Sequence, residues 1–309
     1  MLKIIRAGLQ TTVQDLGRPG WRQLGISQCG ALDSPALKLA NLLVGNDTDT
    51  AALEITLGQL VATFTTPCWI ALTGADCHAT LDGKTLWTGW CFAAKAGQTL
   101  RLRSPRNGMR SYLALSGGIA VPEVLGSRST DLKAGIGGLE GRPLADGDTL
   151  PLGKPRRLPG RSVGVKQLLF SNRVRVLPGP EYQEFSEEAR DNLWRTGWHL
   201  SPQSNRMGYR LLGPELMREN HREMLSHGLL PGVIQVPHNG KPIVLMADAQ
   251  TTGGYPRIGC VIEADLYNMA QLRLGEPVHF IRCSPDDALR ALQEQHRYLE
   301  QLAWRLHGN

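Results

Sequence analysis

Gly97-Gln98-Thr99-Leu100-Arg101-Leu102, Gly147-Asp148-Thr149-Leu150-Pro151-Leu152 and Gly275-Glu276-Pro277-Val278-His279-Phe280 share one form. In each, a glycine and a polar residue turn the chain into a short segment of alternating apolar and polar side chains. That is the pattern of a strand with one face in a core. The other apolar runs are equally short, as in Trp69-Ile70-Ala71-Leu72, Ser111-Tyr112-Leu113-Ala114-Leu115, Val174-Arg175-Val176-Leu177 and Pro242-Ile243-Val244-Leu245-Met246. Short runs between turn residues predict strands, and the 35 glycines and 19 prolines punctuate the whole chain. The expectation is a mainly-β protein with a few peripheral helices.

Three helices stand out. Ser34 is placed to cap one that begins at Pro35 and carries an apolar face from Leu37 to Val44, ending at Gly45. Ser186 with Glu187 and Glu188 opens a second, with acids at the positive end of the helix dipole. Ser284-Pro285-Asp286-Asp287 opens a C-terminal helix whose Leu289, Leu292, Leu299, Leu302 and Leu306 recur at helical spacing, a packing stripe. Trp194 and Trp198, four residues apart near the end of the second helix, read as packing residues, and His238-Asn239-Gly240 reads as a hairpin turn.

At 309 residues the chain has room for roughly two domains. With 41% apolar and 20% charged residues it can build cores and is not a disordered polyelectrolyte. No run of about 18 apolar residues occurs, so no membrane partner is expected. Met1 to Ala7 reads as a strand without the apolar stretch of a secretory signal, which points to the cytoplasm. The net charge of +6 is spread along the chain without a basic stripe, so nucleic acid is not an expected partner. The six cysteines form no C-x-x-C pair, and His221 and His227 flank Glu223 without the H-E-x-x-H spacing of a zinc site; the metal content stays unknown. The polar, turn-rich stretch from Gly153 to Gly164 is the natural linker, dividing the chain into residues 1–155 and 156–309.

Standard signatures fail. Gly83-Lys84-Thr85 ends like a phosphate-binding loop, but His78 stands where its first glycine belongs. Gly135-Ile136-Gly137-Gly138 has Glu140 where a dinucleotide turn needs its third glycine, and Ser116-Gly117-Gly118 lacks the first glycine of a nucleophile elbow. No Met-Lys-Met attachment site is present, so no covalently attached biotin is expected.

What remains are loops dense in glycine and polar groups: Gln14 to Gly20, Gly126 to Asp131, Ser201 to Arg210 and Gln250 to Pro256. Glycine lets backbone N–H groups approach an anion, arginine forks a carboxylate or phosphate, and Ser, Thr, Asn and Gln orient an amide. Any one of these loops could simply turn the chain; four together point to a site. For His227 a backbone-satisfied loop histidine competes with an acid/base role, and for Asp15 a loop-bracing role competes with a catalytic one.

Thr12-Val13-Gln14-Asp15, Gly30-Ala31-Leu32-Asp33, Leu53-Glu54-Ile55-Thr56, Gly179-Pro180-Glu181-Tyr182, Ser204-Asn205-Arg206-Met207-Gly208-Tyr209-Arg210, Ser226-His227-Gly228, Gly232-Val233-Ile234-Gln235-Val236-Pro237 and Asp248 to Pro256 carry a resemblance along essentially the full length. The sequence resembles the C-subunit family of bacterial ATP-dependent 5-oxoprolinases, within the biotin-dependent carboxyltransferase-like group. That group includes the second subunit of allophanate hydrolase and a domain of urea amidolyase.

The resemblance implies two cyclophilin-like β-barrel domains and a direct partner, the 5-oxoprolinase B subunit, working with a separate A subunit. Together they would convert 5-oxo-L-proline, ATP and water to L-glutamate, ADP and phosphate, with ATP and Mg²⁺ bound at the level of the complex. On this reading Asp15, Arg206 and Gln250 are the expected catalytic residues. The expected substrate contacts are Gln14, Arg18, Asn205, Gly208, Gln235, Thr251, Thr252, Gly253, Gly254 and Tyr255. Arg206 and Arg18 would touch the anion, Gln250, Thr251 and Asn205 would orient the lactam amide, and Asp15 would bind metal or brace Arg18. The alternatives are carboxyl transfer from a separate biotinylated carrier to a urea-like amide, and a regulatory partner of the kinase-inhibitor kind.

Overall fold

The computed structural model of the chain describes residues 1–219 and 224–307, so His221 and Glu223 lie outside the described residues. The chain divides into two compact units. The first comprises Met1–Arg18, Cys29–Leu169 and the segment from Arg297 onward; the second comprises Pro19–Gln28 and Phe170–His296.

The first unit has two antiparallel sheets. One runs in the order Thr149–Leu150, Leu2–Arg6, Val61–Phe64, Thr99–Arg101, Thr80–Leu81, Lys84–Thr85; the other runs Gln10–Gln14, Ala52–Thr56, Arg110–Leu115, Cys68–Gly74, Trp90–Ala94. Their facing sides share one core, in which Ile4, Ala62, Phe64 and Leu100 meet Val13, Leu53, Ile55, Ile70, Leu72, Leu113 and Leu115. The strand 110–115 is buried on both faces because Tyr112 and Ala114 point the other way, under helix α1 (Ser34–Leu43) with its Ala36, Leu37, Ala40 and Leu43. Alternation thus splits one strand between two cores. The strands of this unit are hydrogen-bonded as two sheets closed over one core.

The second unit closes. Arg173–Pro178, Arg257–Val261, Val233–Gln235, Ile243–Leu245, Gly208–Leu212, Trp198–Leu200 and Pro277–Arg282 form a seven-stranded barrel. Parallel pairing of Arg173–Val176 with His279–Arg282 completes the ring and removes the free edges. Its inward residues, among them Val174, Val176, Trp198, Tyr209, Ile234, Val244, Val278 and Phe280, are buried. The expected hairpin at His238-Asn239-Gly240 joins two antiparallel neighbours of this barrel.

All the glycine-led runs quoted above contain strands, and Ser186 caps α2 (Glu187–Arg195) by accepting from the Ala189 N–H at 3.1 Å. Helix α3 (Leu266–Gln271) was not expected, and α4 (Pro285–His307) opens with reciprocal hydrogen bonds between Ser284 and Asp287. Three details differ. The cap of α1 is Asp33, whose carboxylate accepts from the Ala36 N–H at 3.0 Å while Tyr112 Oη receives the Asp33 N–H. Leu289 is exposed, so the α4 stripe is covered chiefly at Leu299 and Leu302. Trp198 lies on a barrel strand rather than in the helix, which ends at Arg195.

Candidate functional site

In the first unit, the Gln14–Arg18 loop is bound to the turn at 127–130. The buried Asp15 carboxylate accepts from the Ser127 hydroxyl at 2.6 Å, the Ser129 hydroxyl at 2.5 Å, the Gly17 N–H at 2.8 Å and the Arg128 N–H at 2.5 Å. Four donors occupy most of a carboxylate's lone pairs, so Asp15 braces this loop. It does so through the serine turn rather than through Arg18. Arg18 is fully buried; its Nη2 donates to the Ser129 carbonyl and its Nη1 has no partner. Gln14 donates through Nε2 to Thr12 Oγ1 and the Thr130 carbonyl, and its Oε1 is likewise buried and unpartnered. Gly137, at φ +69°, is what lets the neighbouring turn approach: a Cβ there would stand 2.1 Å from the Ser129 carbonyl oxygen and 2.9 Å from Arg18 Nη2. The glycine motif that failed as a dinucleotide turn is therefore a packing motif over Arg18.

The other ten expected residues belong to the second unit. Asn205 closes a tight turn by accepting the Met207 N–H at 2.9 Å, and Gly208 begins a barrel strand. Arg206 is bound side-on to Asp248, Nε to Oδ2 at 2.9 Å and Nη2 to Oδ1 at 3.0 Å, with both side chains at most 5% exposed. Backbone bonds from the Asp248 N–H to the Arg206 carbonyl and from the Met246 N–H to the Met207 carbonyl join the same two segments. Arg206 thus ties the 205–207 turn to the segment that leads into Gln250, which is half-buried.

Thr252 and Gly253 pair with Gly228 and His227 in a two-stranded ribbon, and the Thr251 carbonyl accepts the Leu229 N–H at 2.8 Å. Directly cross-strand residues point to the same face. A Cβ on Gly253 would stand 3.2 Å from the Gln235 amide nitrogen, so the ribbon face carrying His227 is the face that meets the buried Gln235. Gln235 donates to the Tyr255 carbonyl at 3.3 Å and pairs across the barrel with Arg257. Arg257 in turn grips Glu181 with Nε and Nη2 at 2.9 and 2.7 Å.

Burial works to raise the Glu181 carboxyl, but the Arg257 hydrogen bonds outweigh it, with help from His227, and hold it below the ordinary range. Gly254 and Tyr255 line an adjoining cavity of about 500 Å³ with Phe185, Met217, Pro237 and His238. Tyr255 meets His238 edge-on at 6.0 Å.

The segment Pro19–Gln28 also packs in this unit. Arg22 Nη2 donates to the Leu229 carbonyl, and the Ser27 hydroxyl donates to the Asp248 and Ala249 carbonyls at 3.3 and 3.1 Å. Desolvation lowers the Arg22 pKa, and among the described residues its buried Nη1 has no hydrogen-bond partner, nor has His227 Nε2. Buried polar atoms are nearly always paired, and Gln14 Oε1 and Arg18 Nη1 in the first unit, with Arg22 Nη1 and His227 Nε2 in the second, are exceptions among the described residues.

Sequence reasoning passed over Glu181, Arg257, Asp248 and Arg22. Glu181 and Asp248 lay in stretches already quoted for the resemblance, a signal that located them without giving a role. Among the described residues no three His, Cys, Asp or Glu side chains gather as a metal site, and no helix is long and apolar enough to cross a membrane. No disulfide joins any of the six cysteines.

Comparison with known proteins bears on both units. The chain is 66% identical over 308 residues to the 5-oxoprolinase C subunit of Escherichia coli (strain K12), covering 100% of this chain and 99% of that protein. It is 41% identical to the 5-oxoprolinase C subunit of Haemophilus influenzae, covering 98% and 97%. The crystal structure of the Kluyveromyces lactis urea amidolyase superposes with a TM-score of 0.90 at 29% identity over 97% of this chain, which spans 20% of that longer chain. Residues 24–282 match the model of the carboxyltransferase domain, subdomains A and B, and the chain belongs to that family.

Proposed function

We propose that this chain is the C subunit of an ATP-dependent 5-oxoprolinase: with the B subunit as direct partner it phosphorylates the lactam oxygen of 5-oxo-L-proline, and the A subunit supports ring opening to L-glutamate. The observation that carries the reading is the 66% identity to a protein of that name over its whole length. The chemistry supplies the reason for ATP. Nitrogen donation makes a lactam carbonyl a poor electrophile, and phosphorylating its oxygen installs a leaving group. Phosphoryl transfer needs positioning and charge neutralisation, which arginines, N–H donors and Mg²⁺ provide.

The free donor of Arg18 suits an anionic oxygen. The amides and hydroxyl of Asn205, Gln235, Gln250 and Thr251 suit a lactam, with Gly253, Gly254 and Tyr255 shaping the wall beside them. Arg206, already paired with Asp248, acts by positioning the loops that carry Asn205 and Gln250, and Asp15 by positioning the loop that carries Arg18. ATP and Mg²⁺ belong to the assembled complex, in the cytoplasm.

The test is reconstitution with the B and A subunits: ADP and glutamate should be released in equal amounts, only when 5-oxo-L-proline is present. ADP release indifferent to the lactam would refute the reading. Likeness to the urea amidolyase structure favours a second reading, carboxyl transfer from a biotinylated carrier to a urea-like amide. It requires a streptavidin-reactive protein in the purified complex.

A further inference from the structure

We propose that His227 is the proton acceptor for the lactam N–H during phosphorylation, an assignment that rests on the functional reading above and adds a residue to it. His227 Nδ1 lies 3.2 Å from the Leu225 carbonyl oxygen. A carbonyl only accepts, so Nδ1 carries the hydrogen, which leaves Nε2 as the atom of the uncharged ring that can take a proton. That atom is buried and has no hydrogen-bond partner among the described residues. The ribbon register puts the ring on the face that Gly253 presents to Gln235, where even a Cβ would stand 3.2 Å from the amide nitrogen, so the bare glycine brings that face close to the amide that would hold the lactam for Nε2 to deprotonate.

Among the described residues, Glu181, held by Arg257, interacts electrostatically with His227, and Arg22 is anchored on the Leu229 carbonyl two residues along the chain. Glu181 favours the imidazolium as it forms, and its grip by Arg257 keeps it from taking the proton itself.

The step balances. The lactam oxygen forms a bond to the γ-phosphorus of the nucleoside triphosphate, and the bond from that phosphorus to the bridging oxygen breaks, leaving its electron pair on the diphosphate. The N–H proton moves to His227 Nε2, and the C–N bond becomes a C=N bond in a cyclic imidate phosphate. Without a base the same attack would leave a positive charge on the ring nitrogen. When the ring opens, the imidazolium returns the proton to the departing nitrogen.

The experiment compares His227→Asn and His227→Gln with the parent in the reconstituted complex. General-base loss predicts a fall in kcat of about 10²–10⁴-fold with KM nearly constant, and disappearance of the acid limb of the kcat/KM profile. Co-purification with the B subunit establishes that each variant is assembled. As a measurement independent of turnover, the ¹⁵N resonance of Nε2 in histidine-labelled chain should shift when 5-oxo-L-proline is added. Variants that keep the parent rate, or an Nε2 resonance indifferent to the lactam, overturn the proton role while leaving the 5-oxoprolinase reading intact. A parent complex with no lactam-dependent turnover overturns both.

Discussion

Replacing Arg206 by methionine is the most demanding test of the second unit. The guanidinium and Asp248 are almost completely withdrawn from water and meet through two charge-assisted hydrogen bonds. Methionine fills similar volume but leaves the carboxylate buried without its cation, a change that costs about 3–5 kcal/mol in comparable buried pairs. For a unit of this size, each kcal/mol corresponds to roughly 2–4 °C, so the melting transition should fall on the order of 10 °C. The double variant Arg206→Met with Asp248→Leu removes both charges and should recover at least half of the loss, because an apolar pair of similar volume needs no desolvation. Calorimetry reads the magnitude. Hydrogen exchange by mass spectrometry locates it, with faster exchange expected at 205–208 and 246–250 in the single variant. A single variant within about 1 kcal/mol of the parent, or a double variant no better than the single, would refute the argument that Arg206 holds these loops.

Three further outcomes follow from the geometry. Asp15→Ala strips four donors of their acceptor and should lower the first unit's stability by on the order of 3–5 kcal/mol, read from the urea midpoint; a loss below about 1 kcal/mol would show the brace to be dispensable. Glu181 has a folded pKa below its unfolded value of about 4.3, so its contribution to stability is present above that pH and fades as pH falls through the folded value. Glu181→Gln should therefore be less stable at pH 7 and less sensitive to acid between pH 5 and 3 (roughly the window where the carboxylate protonates), and parallel stability–pH curves would contradict this. Gly253→Ala places a Cβ 2.8 Å from Leu229 Cδ1 and 3.2 Å from the Gln235 amide. The leucine can move and keep the fold, but the amide must give by a few tenths of an ångström, which should lower lactam-dependent turnover on the order of 3–10-fold, and a fully active variant would separate Gln235 from the chemistry.

The fold was legible where local pattern and packing agree. The glycine-led alternation of 97–102, 147–152 and 275–280 encodes strands whatever they pair with, and Ser186 and Ser284 cap helices through contacts three residues away. The pairing order of the first unit's two sheets depends on long-range contacts, which period alone does not carry. The shift of the α1 cap to Asp33 follows from Tyr112, 79 residues distant, fixing the Asp33 backbone.

The candidate loops were legible through their density of glycine, hydroxyl and amide groups. Which polar atoms are already spent was not. Asp15 finds its donors 112 and 114 residues away, and Arg206 finds its carboxylate 42 residues away. Neither pairing leaves a trace in local sequence. His227 looked like an ordinary loop histidine because neither its empty Nε2 nor the register with Gly253 has a local signature.

The most direct measurement follows a single oxygen. With 5-oxo-L-proline carrying ¹⁸O at the lactam carbonyl, the reconstituted complex should deliver that label into inorganic phosphate, since the oxygen becomes the bridge to phosphorus and leaves with it. Label retained wholly in glutamate, with ATP consumed, would mean that the lactam oxygen does not depart from carbon with phosphate, and the leaving-group account built on this chain would fail.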